Sequence, residues 1–154
     1  QKRVTRSTFG AELHNMSECS ELGMLLSGCV HEVYMGTQPA IKLAQLEDSG
    51  SFAFSVHLFL DAESVCQAVK ESERSVPTEA NLLYPLKALR EHLDAGRIRT
   101  LYWIDTRDML CDGLTKGSIS RKPLLLAFAS GRWALLHPCK SWTSHLSPKV
   151  KGSP

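Results

Sequence analysis

Hydrophobic and polar positions along the chain fall into alternating helical and extended patterns. Leu13, Met16, Cys19, Gly23, Leu26, Val30 and Val33 recur every three or four residues and predict a helix over 11–34. Gly23 and Gly28 each weaken it by about 1 kcal/mol relative to Ala, and Gly36 with Pro39 ends it. After the turn signal Asp48-Ser49-Gly50, the residues Phe52, Phe54, Val56, Leu58 and Leu60 alternate with Ala53, Ser55, His57 and Phe59. This period of two predicts a strand over 51–60 whose second face is apolar enough to be partly covered.

Asp61-Ala62-Glu63-Ser64 then leads into a short helical pattern through Val65, Ala68 and Val69, and 72–77 reads as a polar loop. Leu82, Leu86, Leu89 and Leu93 form one helical stripe within 78–95, where Pro85 either kinks the helix or marks the start of its main part. Asp94-Ala95-Gly96 is a helix stop. The β-branched and aromatic stretch 97–104 predicts a second strand. Asp105-Thr106 opens a helix through Met109, Leu110 and Leu114 that closes at Gly117. The segment 123–136 is apolar but ambiguous, and 143–154 is polar and expected to be a disordered tail. The order helix, strand, helix, helix, strand, helix implies an α/β domain with a sheet flanked by helices, spanning 1–142.

Composition narrows the class. The chain has 154 residues, 43% hydrophobic and 22% charged, enough for one domain with a real core. The longest apolar run, Leu124 to Ala129, is far short of the roughly 20 residues a membrane-spanning helix needs, and 1–8 is polar and basic without the apolar run of a secretory signal. Five cysteines without a C-x-x-C pair suggest buried thiols in a reducing compartment, cytoplasmic or nuclear. The pairs Cys29-Val-His31 and His137-Pro-Cys139 contain four zinc-ligating residue types, but not at the spacings of structural zinc sites.

Charge is unevenly distributed. Residues 1–96 carry 8 Lys+Arg against 13 Asp+Glu, whereas 97–154 carry 10 against 3, a swing from −5 to +7 within a net +2. The basic third is either a polyanion-binding surface or an ordinary solvated one.

Three acids occupy informative positions. Asp61 follows a strand, where open α/β sheets place their sites, or else it is an N-cap. Glu12 lies near the start of the first helix, as a ligand or as a charge complementing the helix dipole. Asp112 sits among Leu110, Cys111 and Leu114, facing a cleft or water. The histidines, including His14 and His57, supply no clear general base.

The wording around these acids resembles the ribonuclease H domain of copia-type retrotransposon polyproteins. Arg6-Ser7-Thr8-Phe9-Gly10-Ala11-Glu12-Leu13 is similar to that family's S-S-T-E-A-E-Y helix start. Leu58-Phe59-Leu60-Asp61-Ala62-Glu63-Ser64-Val65 resembles its strand-end h-x-x-D-N-x-S-A element. Arg90-Glu91, Ile98, Tyr102 to Ile104, Thr106 and Leu110-Cys111-Asp112-Gly113-Leu114-Thr115-Lys116 resemble its R-E…I-x-x-x-Y-I-x-T-x-x-Q-L-A-D-I-L-T-K signature. The blocks occur in family order over about 3–117, leaving 118–142 as an extension; Phe9, Gly10 and Ala62 depart from the pattern.

The resemblance implies a partial ribonuclease H-like fold, a mixed sheet flanked by helices and lacking the first strands, because no acid precedes Glu12 to match the family's first catalytic aspartate. It implies that Glu12, Asp61 and Asp112 are catalytic metal ligands in an incomplete two-Mg²⁺ site. In such a site, ions about 4 Å apart activate water and stabilise the leaving oxygen. It further implies hydrolysis of RNA in RNA/DNA hybrids, an upstream reverse transcriptase portion as partner, and Arg97, Arg99, Arg107, Lys116, Arg121 and Lys122 as a phosphate grip. The alternative is a catalytically inactive remnant that serves only as a nucleic-acid or protein interaction module.

Overall fold

The computed structural model describes residues 8–71 and 80–144. The predicted polar loop 72–77 and nearly all of the predicted tail, from 145 on, lie outside the described residues. The elements are helix α1 (Thr8–Met35), helix α2 (Ala40–Asp48), strand β1 (Val56–Leu60), helix α3 (Glu63–Lys70), helix α4 (Leu83–Asp94) after a short 3₁₀ turn at Ala80–Leu82, and strand β2 (Ile98–Trp103). A second 3₁₀ turn at Thr106–Asp108 precedes helix α5 (Asp112–Thr115), helix α6 (Lys122–Ser130) and strand β3 (Lys140–Trp142).

The sheet runs β1-β2-β3, with β1 and β2 parallel and β3 antiparallel to β2. A parallel pair needs a crossover, and α3 with α4 provides it. Leu13 and Met16 of α1, Val65, Cys66 and Val69 of α3, and Leu86, Leu89 and Leu93 of α4 join Leu58, Leu60, Ile98 and Leu101 of the strands in one core. This is the mixed α/β architecture that the alternation of patterns predicts. The other side of the sheet is thinly covered: Phe59 stacks on Tyr102 with ring centroids 4.7 Å apart, and Trp133 meets Phe59 edge-on.

Several predicted elements are corrected. The first helix exists, but its buried face is Leu13, Met16, Ser20, Met24, Ser27 and His31, and Cys19, Leu26, Val30 and Val33 are exposed. The predicted stripe takes 20 residues for six turns, roughly 3.3 per turn, and so winds away from a face that repeats every 3.6. The first strand begins only at Val56. Phe52 and Phe54 belong instead to an irregular segment tied to α1: the Ala53 N–H donates to His31 Nδ1 at 3.1 Å, and the Ser27 hydroxyl donates to the Phe54 carbonyl. Gly23 and Gly28 leave room on α1 for Val56 and Phe52. Helix α2 has no counterpart in the predicted elements.

Pro85 stands in the first turn of α4, so it starts the helix rather than kinking it. The helix stops at Gly96, in the left-handed region at φ 77°, with the Gly96 N–H donating to the Leu93 carbonyl. Gly50, at φ 60°, faces it so closely that a Cβ there would lie 2.3 Å from the Gly96 carbonyl oxygen. The turn after α2 and the turn after α4 therefore interlock backbone to backbone.

Candidate functional site

Asp61 directly follows β1, and its strand end is fastened across the sheet. The Trp103 indole N–H donates to the Asp61 carbonyl at 3.0 Å, and the Ile104 N–H donates to the Leu60 carbonyl at 3.0 Å. The cap of α3 is Ala62, with no side-chain capping hydrogen bond, so the Asp61 carboxylate does not cap that helix. Glu12 is the fifth residue of α1, beyond the first turn, where a charge complements the helix dipole best. The Asp61 carboxylate is thus not an N-cap, and Glu12 lies one position past the first turn.

Asp112 is placed by a break in the predicted last helix. The Asp105 carboxylate accepts the Arg107 N–H at 2.9 Å and a two-pronged contact from the Arg107 guanidinium, both at 2.8 Å, which favours a tight turn over a continuing helix. Met109 is extended, and α5 restarts at Asp112. The buried Asp112 accepts a hydrogen bond from Lys116 Nζ at 2.7 Å.

Lys116 reports on all three acids. Its ammonium is held above the usual lysine range first by its hydrogen bond to Asp112, against some desolvation, and then by the charges of Asp112, Asp61 and Glu12. Asp112 is the one of the three in hydrogen-bond contact with this ammonium; Asp61 and Glu12 act on it only as more distant, weaker charges. The oxygen donor set suits a hard divalent ion. The arrangement does not: among the described residues no three His, Cys, Asp or Glu side chains are grouped to hold a metal, and the Asp112 carboxylate is engaged by Lys116. No hydrolytic step is derived through a metal for this arrangement.

The predicted phosphate grip divides in two. Arg97 pairs with Asp48 at 3.0 Å, Arg107 with Asp105 at 2.8 Å and Lys116 with Asp112 at 2.7 Å. Arg99, Arg121 and Lys122 take part in none of the ion pairs among the described residues. Arg99 lies close enough to His57 to hold that imidazole below its usual range, in addition to the larger effect of burial.

The pattern of residues misses one buried cluster altogether. Asp108 accepts the backbone N–H groups of Leu136 and His137 at 3.1 and 2.9 Å, and its other oxygen lies 3.0 Å from His137 Nδ1. Burial opposes the charge of this carboxylate, but these hydrogen bonds outweigh burial and hold it below the ordinary range. A separation of 28 or 29 residues, with no regular period, gives no signal in the sequence. The zinc-type pairs are also accounted for. His31 is buried with Nδ1 accepting the Ala53 N–H, Cys29 is exposed two residues before it on the same helix, and His137 uses Nδ1 on Asp108.

No helix among the described residues is long and apolar enough to cross a membrane. Compared with protein families, with curated proteins and with solved structures, the chain matches none.

Proposed function

We propose that this chain is part of a ribonuclease H-like domain of a copia-type retroelement, a family that hydrolyses RNA in RNA/DNA hybrids, with Glu12, Asp61 and Asp112 at the positions of three of its catalytic carboxylates, although Lys116 rather than a metal engages Asp112 here. The observation that carries this reading is the place of Asp61 at the carboxyl end of β1, in a parallel β1–β2 pair joined by a helical crossover. The charges of Asp61 and Glu12, distant in sequence from Asp112, also bear weakly on Lys116, the partner of Asp112, which supports the same reading.

Activity of this kind needs a fourth carboxylate, which no residue before Glu12 in this sequence supplies. In this chain Lys116 neutralises Asp112, so Mg²⁺ binding is weak and cleavage slight. That same ion pair favours the second reading, a remnant that binds nucleic acid without cutting it.

Binding of an RNA/DNA hybrid across a salt series tests the nucleic-acid assignment. Affinity falls steeply with salt, and Arg121→Glu with Lys122→Glu lowers the slope by roughly one unit for each phosphate that is no longer gripped. Salt-independent binding, or an unchanged slope in the double variant, removes the phosphate grip. Incubation of the hybrid with Mg²⁺ separates the readings: cleavage lost in Asp61→Asn identifies the enzyme, and binding without cleavage identifies the remnant.

A further inference from the structure

Two apolar surfaces of this chain are exposed, and they carry opposite charge. On α1, Leu22, Leu25, Leu26, Cys29 and Val33 are all exposed and follow one another at helical spacing on the side turned away from the core. This helix contains four Glu and no Lys or Arg, and Glu18 and Glu21, both exposed, adjoin the stripe. On α6, only Leu124 is buried; Leu125, Leu126 and Phe128 are 62%, 66% and 75% exposed. Arg121 and Lys122 open that segment and Arg132 follows it, and no acidic residue occurs anywhere after Asp112.

From this complementarity we infer that copies of the chain associate head to tail, the acid-edged stripe of α1 in one copy receiving the base-edged face of α6 in the next. The fit is one of length as well as charge. Leu22 to Val33 spans about 17 Å of helix at 1.5 Å per residue and α6 about 13 Å, so one stripe accommodates one α6. Pairing α1 with α1, by contrast, brings Glu against Glu, and pairing α6 with α6 brings base against base, each at a Coulombic cost. Because the two surfaces differ, the contact is heterologous and each copy retains a free stripe and a free α6, which leads to open chains or a ring.

Sedimentation of the full chain, in reductant and without nucleic acid, tests this through complementation. Wild type forms species that grow with concentration beyond dimer and dissociate as salt is raised. Leu22→Glu with Leu26→Glu, altering only α1, and Leu125→Lys with Leu126→Lys, altering only α6, are each monomeric with unchanged circular dichroism and melting. Mixed in equal amounts, they form a one-to-one dimer that does not grow, since one intact stripe meets one intact α6. A monomeric wild type, a dimer in the α6 variant alone, or a mixture that stays monomeric overturns the inference. Should either variant lose its fold, the salt response of wild type decides: association that persists or strengthens in high salt is apolar clustering and contradicts charge pairing.

Discussion

Lys116 Nζ sits 2.7 Å from Asp112 Oδ2, with Asp112 buried and Lys116 half-exposed. The pair spans one turn at the end of α5, the usual spacing for a helical ion pair, but its surroundings are unusual, because Asp61 and Glu12 bear on the same ammonium. An internal cation thus balances the charge of Asp112, the residue that the resemblance matches to a catalytic aspartate. On the proposed reading, a divalent ion would have to compete with Lys116 for Asp112.

The interlocked turns at Gly50 and Gly96 make even a single added methyl destabilising. Gly50→Ala must adopt a left-handed conformation and displace the Gly96 backbone, since no flexible side chain is available to yield. A loss of about 1–3 kcal/mol is expected, measured by denaturant unfolding. A loss within experimental error shows that the two turns separate freely.

Acid weakens the fold in two stages. Burial first, and the Arg97 guanidinium second, hold His92 below the usual histidine range; burial and Arg99 do the same to His57. The unfolded chain therefore binds more protons than the folded one as pH falls below about 6.5, and stability declines from there. Asp108, whose carboxyl is held below its ordinary value, contributes stability that is complete above about pH 4 and lost as pH drops through its lower folded value. Melting temperatures should fall with pH from about 6.5 downwards, and His92→Gln should flatten the upper stage. A melting temperature that stays level from neutrality to about pH 4.5 contradicts this.

The thiols should react unequally. Cys66 lies in the core, where burial, reinforced by Glu63 and Asp61, pushes its thiol up to about 12. Cys19, Cys29, Cys111 and Cys139 are exposed. Ellman titration of the native chain should release four equivalents quickly and the fifth only on unfolding. Five fast equivalents would mean that α3 does not pack on the sheet as described.

Truncating a central helix side chain probes the core. Leu89 of α4 is fully buried among residues of α1, α3 and the strands, so Leu89→Ala should cost about 2–5 kcal/mol, whereas Leu126→Ala on the exposed side of α6 should change stability by no more than about 0.5 kcal/mol. Denaturant midpoints compare the two directly.

The strands β1 and β2, the crossover and the stop at Gly96 were legible because period and turn chemistry agree there. The facing of α1 was not. Its buried side includes Ser20, Ser27 and His31 while its exposed side is rich in Leu and Val, so apolarity points to the wrong face. Buried polar groups on α1 find partners at long range, as His31 does at Ala53, and no local pattern encodes them. Asp105 and Asp108 broke the predicted last helix for the same kind of reason, committing their carboxylates to a local turn and to the distant His137. Of the candidate site, the place of Asp61 just after β1 was legible from the strand pattern, and the pairing of Asp112 with Lys116 was not, since the same Lys is equally at home closing a helix.

The most direct test of a cation site shared by the three acids is Mn²⁺ titration calorimetry on wild type, Lys116→Ala, Asp61→Asn and the double variant. Removing the internal cation should tighten Mn²⁺ binding by roughly tenfold, equivalent to about 1.4 kcal/mol, and Asp61→Asn should weaken it in both backgrounds. Equal affinity in wild type and Lys116→Ala, together with indifference to Asp61→Asn, would show that the three acids do not share one cation site.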